Sequence, residues 1–189
     1  MAAQYEELSE KHMQFIRDQQ LYFVATATEQ GPINLSPKGA DTLRVRSSRQ
    51  LLWLNFTGSG NETAAHLRQS ERMTIMFCSF TEQPMILRCY GRAKTYHPRD
   101  AEWEVLSAEL PHHPSARQLF LLDIDLVQTS CGFGVPFFEY QGERENMTKW
   151  LEKKGPEDIQ AYWQEKNLVS LDGLPTGILS ASRDNDEDL

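Results

Sequence analysis

The sequence predicts a mainly β protein: an antiparallel barrel of about six strands with peripheral helices. Three observations lead there. β-rich apolar runs follow one another with short connections, as in LYFVATAT, LLWLNF, RMTIMFCSF and MILRCYGRAKTY. A single short helical stretch interrupts this series, so the strand–helix alternation of a parallel sheet is missing. No GxGxxG follows a strand, which argues against a Rossmann dinucleotide site.

Each element has its own signal. Ser9 can cap a first helix running from Glu10 to about Gln19, with Leu8 and Met13 spaced as a hydrophobic staple and Met13 and Ile16 facing the core. LYFVATAT and PINLS flank Glu29-Gln30-Gly31 and read as a hairpin. SPKGADTLRVRSSRQ is polar and reads as an excursion between strands, although Arg44 and Arg46 alternate with Leu43 and Val45, as at one edge of a basic pocket or equally on the outer face of a strand. LLWLNF is the next strand, and a short helix covers Glu62 to Gln69. RMTIMFCSF and MILRCYGRAKTY pair through Thr81–Pro84. HPRDAEWEVLSAEL reads as a helix with Trp103, Leu106 and Leu110 on one face. PHHPSARQ leads into the long strand LFLLDIDLVQTS. CGFGVPFFEY, two amphipathic helical stretches near 144–153 and 157–165, and SLDGLPTG complete one domain over residues 1–175. An acidic tail, 176–189, reads as disordered.

The bulk numbers narrow the function classes. The 189 residues suit one domain, and 40% hydrophobic with 24% charged residues suit an ordinary core. The net charge of −8 argues against general nucleic-acid binding, yet leaves room for a local basic pocket that holds one small anion. No stretch approaches a membrane span, and the charged start is not a secretory signal. Cys78, Cys89 and Cys131 have no metal-like spacing and fit reduced thiols in the cytoplasm, with Cys78 and Cys89 as small core residues. The expected metal content is none: His112 and His113 sit between prolines as a polar loop.

Three stretches have the composition of binding segments. In TGSGNETAAHL, residues 57–67, glycines precede a helix start, where unpaired N–H groups and a partial positive charge attract phosphate. Thr57, Ser59, Asn61 and Thr63 add side-chain donors, whereas Glu62 opposes an anion unless it points to solvent. A plain turn with Ser59 or Asn61 as N-cap explains the same letters. Around Ser36, Pro37, Lys38 and Gly39 the strand breaks and a cation appears, which a solvated loop lysine also explains. Around Cys131, Gly132 and Phe133 glycines and aromatics suit backbone packed on something flat. A structural cysteine fits there better than a nucleophile, because no local base or cation accompanies it.

Taken in order, INLSPKGADTLRV, LLWLNFTGSGNETAAHL, RMTIMFCSF, ILRCYGRAKTY and VQTSCGFGVPFFEY resemble the pyridoxamine 5′-phosphate oxidase-like family over roughly residues 10–175. The likeness is greatest to a branch carrying SPKG, GSGNET and SCGxGVP. The resemblance implies a six-stranded split barrel, a homodimer, and FMN in a groove lined by both subunits. It implies that Ser36, Pro37, Lys38 and Gly39 run along the flavin and that Thr57, Ser59, Asn61, Glu62 and Thr63 form the phosphate turn, with Cys131, Gly132 and Phe133 also at the cofactor. Family oxidases carry an Arg-Lys pair in that turn and a C-terminal Arg–His-type substrate motif. This chain has Asn61-Glu62-Thr63 and SLDGLPTG instead, which argues against oxidation of pyridoxamine phosphate. The functions implied are an FMN-dependent oxidoreductase acting on a small molecule, a non-catalytic flavin binder, or the same barrel holding deazaflavin F420 or haem. No catalytic residue is assigned.

Overall fold

The structure is a computed structural model that describes residues 2–179 except Glu152. The acidic tail predicted from residue 176 falls mostly outside these residues. Thr176 and Ile178, assigned to that tail, are buried.

Among the described residues the elements are β1 Ala3–Tyr5, α1 Glu10–Arg17, β2 Tyr22–Thr26, β3 Asn34–Lys38, β4 Leu43–Ser47, β5 Gln50–Phe56, α2 Glu62–Gln69, β6 Arg72–Cys78, β7 Ile86–Tyr96, α3 Trp103–Ser107, β8 Ala116–Ser130, α4 Asn146–Leu151 and α5 Pro156–Lys166. The strands form one sheet in the order β3-β2-β6-β7-β8-β5-β4, with β1 added to β8, and every pairing is antiparallel. The sheet curls into a half-barrel. Two strands exceed the expected six: β1, whose three residues carry little signal, and β4, which lies inside the supposed polar excursion. The alternation of Arg44 and Arg46 with Leu43 and Val45 was the true signal of β4. Arg44 and Arg46 both reach Glu109, through its backbone oxygen and its carboxylate respectively, on the outside of the sheet.

The barrel is split where β3 meets β4. Only Gly39–Thr42 joins these two strands, yet they are the opposite edges of the sheet and form no ladder with each other. Ala40 and Asp41 both adopt left-handed backbone, at φ 58° and 53°. The Thr42 hydroxyl donates to Gly39 O, and Leu54 N–H donates to Thr42 O, so the corner is tied to β5. A cleft of about 630 Å³ opens at this split, between Tyr22, Gly39–Val45 and Tyr140.

Two apolar clusters sit on the two faces of the curled sheet. Inside are Val24, Trp53, Ile75, Phe77, Leu87, Cys89 and Phe120, with Trp53 stacked on Phe120 at 4.5 Å. Outside, Leu52, Leu54, Leu119 and Leu121 pack against Leu106 and Leu110. β5 and β8 therefore bury both faces, which explains their unbroken apolar runs. The long helix expected over 98–110 shrinks to α3. Asp100 caps the preceding turn by accepting from His97 N–H at 2.7 Å, and the flanking residues form turns. α1 follows its expected start: Ser9 accepts from His12 N–H, and Leu8 and Ile16 are buried. No helix of the described residues is long and apolar enough to cross a membrane.

Candidate functional site

Lys38 ends β3 and turns its side chain into the barrel. The ammonium lies 5.4 Å from the centre of the Trp53 ring and donates to Asn55 Oδ1 at 3.4 Å. Burial, and then the neighbouring Arg117, lower its pKa to about 8. Asn55 in turn donates to Gln118 Oε1 at 3.3 Å, and Gln118 lies 3.4 Å from His97 Nε2. For Gln118 to donate, that imidazole nitrogen must be unprotonated. Burial, and then Arg99, hold the His97 pKa below its ordinary value, which fits a neutral ring. A row of buried polar groups thus crosses one end of the barrel interior, above Trp53 and Phe120.

The loop at residues 57–61 lies beside this row. Its shape is set by Arg117, which is 1% exposed at the start of β8. The two terminal guanidinium nitrogens donate to Gly58 O at 2.8 Å and Gly60 O at 2.6 Å, while Nε is buried without a partner. In a planar trans peptide the C=O and the next N–H point in opposite directions. Arg117 therefore turns the N–H groups of Ser59 and Asn61 away from itself. α2 follows directly, and its intrahelical bonding begins with Ala65 N–H to Asn61 O, so the earlier amides have no helical partner. The result is a loop with carbonyls held from behind by a buried cation and amides presented in front.

The predicted side chains divide. Ser59 is exposed on this loop. Thr57, Asn61 and Thr63 are buried and engaged within the protein, which corrects their reading as free donors. The Thr57 hydroxyl donates to Ser115 O and accepts from Trp163 Nε1 at 2.9 Å. The Asn61 amide donates to Lys166 O and Val169 O, so Asn61 occupies the N-cap position without a side-chain capping bond. The Thr63 hydroxyl accepts from Asn34, which also holds Thr26 and receives a bond from Ser36. α5 and the segment after it thus brace the loop, helped by Asn167, which donates to Gly58 O. Glu62 keeps its carboxylate at the loop, accepting from Asn61 N–H at 3.1 Å. Pro37 is exposed on the edge strand, and Gly39 passes so close to Gln20 O that a Cβ there would lie at 3.1 Å.

Cys131, Gly132 and Phe133 belong to a separate group. They follow the far end of β8, where Ser130 pairs with Ile86, whereas Ala116 at the near end pairs with Phe56. The intervening 15 residues make roughly 45 Å of strand path. Gly132 packs on the backbone of Met85, Cys131 is exposed, and Phe133 is 80% exposed. One chain therefore joins the Ser36–Gly39 and 57–63 segments through Lys38 with Asn55 and Asn34 with Thr63, whereas 131–133 follow the end of β8 remote from the 57–63 loop.

His66 is fully buried. Its ring links Thr26 at 3.1 Å to Asp172 at 2.9 Å, which fastens the C-terminal segment to β2. His113 stacks on Phe56 and lies 2.6 Å from the Ser115 hydroxyl. Cys89 is buried, which pushes its thiol up to about 12. Sequence reasoning missed Arg117, Asn55, Gln118 and Trp163. Arg117 had one signal, a charged residue opening an apolar strand, but PHHPSARQ placed it in a loop.

Comparison with known proteins agrees with this architecture. Residues 8–131 match the profile of the family described as pyridoxamine 5′-phosphate oxidase. The chain is 37% identical over 204 aligned positions to the pyridoxamine 5′-phosphate oxidase family protein ustO of Aspergillus flavus, covering 97% of this chain and 80% of that one. Among solved structures, HupZ of Group A Streptococcus superposes with a TM-score of 0.51 at 17% identity, over 63% of this chain and 91% of that one. A Clostridium acetobutylicum protein related to general stress protein 26, of the pyridoxinephosphate oxidase family, gives 0.50 at 14% identity, over 66% and 91%. At such identities these structures speak for the fold alone. The profile match spans most of the chain and the fungal relative nearly all of it, so the chain belongs to the pyridoxamine 5′-phosphate oxidase family.

Proposed function

We propose that the protein binds FMN and acts as a cytoplasmic FMN-dependent oxidoreductase on a small molecule. The observation that carries the reading is the Arg117 clasp. A buried guanidinium pulls two carbonyls to one side of a glycine-rich loop and aims the Ser59 and Asn61 amides to the other, at the start of a helix and beside Lys38. That donor set suits the phosphate of a flavin mononucleotide. Ser59, the amides of residues 59 and 61, and Lys38 would hold the phosphate, and Ser36–Gly39 would follow the rest of the cofactor. When bound, the flavin supplies the hydride or electron transfer. The protein's own part is to bind and orient it, to keep a cation at Lys38 Nζ, and to exclude water with Trp53 and the aromatics beyond β8.

The same reading includes a homodimer. Residues 131–133 follow the end of β8 remote from the 57–63 loop, and a second copy would bring its own 131–133 segment to that loop. Exposed apolar side chains suit such a contact: Ile33 and Leu35 on edge strand β3, and Phe133, Phe137 and Phe138 after β8.

A non-catalytic flavin carrier shares all of these contacts and differs by having its flavin covered, for which Phe133, Phe137 and Phe138 are available. Steady-state turnover with NAD(P)H and oxygen or a quinone separates the two: sustained turnover supports the enzyme, and a flavin-loaded protein without turnover supports the carrier. Haem is disfavoured at His66, whose two ring nitrogens already face Thr26 and Asp172. Deazaflavin F420 differs from FMN in its ring and tail, and competition between the two cofactors for the loop tests it.

A further inference from the structure

Glu62 is the first residue of α2, and its carboxylate lies on the amide side of the loop that Arg117 shapes. Oε2 accepts from Asn61 N–H at 3.1 Å and lies 3.5 Å from the position a Cβ would take at Gly60. One of the two amides that Arg117 turns outward is therefore already satisfied by an oxygen anion of the chain itself. Among the described residues, neither Lys38 nor Arg117 forms an ion pair with a carboxylate, and Arg117 is 1% exposed with Nε unpartnered behind the loop. Burial lowers the proton affinity of both cations, Arg117 lowers that of Lys38 further, and Glu62 is the carboxylate that offsets part of the loss, after Tyr162 in the case of Arg117. The carboxylate thus partly balances a cationic, amide-rich seat.

We propose that Glu62 is a built-in anion: its carboxylate occupies part of the seat taken by a ligand's phosphate and must swing away when that phosphate binds. The inference rests on the phosphate seat described under the proposed function and adds its regulation. Two negative groups cannot share the Asn61 amide, and their mutual repulsion is strong in a partly buried setting. Glu62 therefore weakens binding of phosphorylated ligands while leaving unphosphorylated ones alone. A purely structural role, as an acidic residue in the first turn of a helix, would instead affect stability and not ligand choice.

The test compares Glu62→Gln with the wild type. Glutamine keeps the shape and still offers an oxygen to Asn61 N–H, but carries no charge. FMN and riboflavin are titrated by flavin fluorescence, and inorganic phosphate and pyrophosphate by thermal shift. The expected result is FMN affinity about tenfold tighter in the variant, riboflavin affinity unchanged, and a larger thermal stabilisation by pyrophosphate. Glu62→Ala, which removes the side chain altogether, must move FMN affinity in the same direction. Equal FMN affinity with and without the charge, or equal gains for FMN and riboflavin, overturns the proposal while flavin binding itself stands. If the wild type binds neither flavin, the flavin reading fails. The role of Glu62 is then decided by the phosphate and pyrophosphate shifts alone, a gain in Glu62→Gln supporting it and no gain overturning it.

Discussion

Lys38 and Arg117 show two ways in which a cation is used at one loop. Arg117 works from behind: it contacts carbonyls and orders the backbone. Lys38 works from the side, with its ammonium over the Trp53 ring and bonded to Asn55 beside the loop. Because burial lowers the Lys38 pKa to about 8, the ammonium begins to lose its proton just above neutrality. A bound phosphate would restore the charged form, so binding takes up a proton in this range. Affinity for FMN should therefore fall roughly tenfold between pH 7 and pH 9, and Lys38→Met should bind more weakly and show no such slope. Isothermal titration across that range, in buffers of different ionisation enthalpy, measures both the slope and the proton. The folding sign is opposite to that of a salt-bridged lysine. The folded-state pKa lies below the unfolded one, so the folded chain holds fewer protons between about pH 8 and the ordinary lysine value of 10.5. Stability from this group rises with pH across that window.

Single residues also show what the sequence could reveal. The Ser9 cap and the core-facing side of α1 at Ile16 were legible because a helix start is decided within a few positions. The polar letters of TGSGNETAAHL were legible as a loop before a helix, but not the direction of each side chain. Thr57 and Asn61 face inward because Trp163, Lys166 and Val169 meet them, and those partners come more than a hundred residues later. No local pattern carries that information.

At the scale of elements, β8 organises the molecule. It pairs with β7 along most of its length and with β5 and β1 in turn on its other side, so it fixes both ends of the candidate site. β7 follows its coil through a bulge between Tyr90 and Gly91. A Cβ at Gly91 would lie 1.9 Å from Asp123 O, a backbone atom that cannot yield without breaking the ladder. Gly91→Ala should cost about 2–4 kcal/mol of stability, read as a lower midpoint in urea or heat. An unchanged midpoint would show that the two strands part easily at the bulge. Gly91 looked like any strand glycine in RCYGRAKTY, since the neighbour that demands it is 32 positions away. The same limit explains α3. Periodicity marked Leu106 and Leu110 correctly as core, but the turn capped by Asp100 shortened the helix around them.

At the scale of the whole molecule, the split barrel was legible because the strand runs and the motif order are properties of the entire chain. The layout of the candidate site was legible only in part. Two of the three segments meet within the chain, through Asn34 with Thr63 and Lys38 with Asn55. The third lies beyond the other end of β8, among exposed aromatic side chains. If a second copy completes the site, the protein should elute as a dimer of twice 21.7 kDa by size-exclusion with light scattering. A stable monomer that still binds flavin would remove residues 131–133 from the site. The central claim is that this barrel holds FMN, and the visible spectrum of the purified protein tests it most directly. The account predicts a yellow protein with a flavin spectrum that releases FMN on denaturation. A colourless protein that leaves the fluorescence of added FMN unchanged would contradict it.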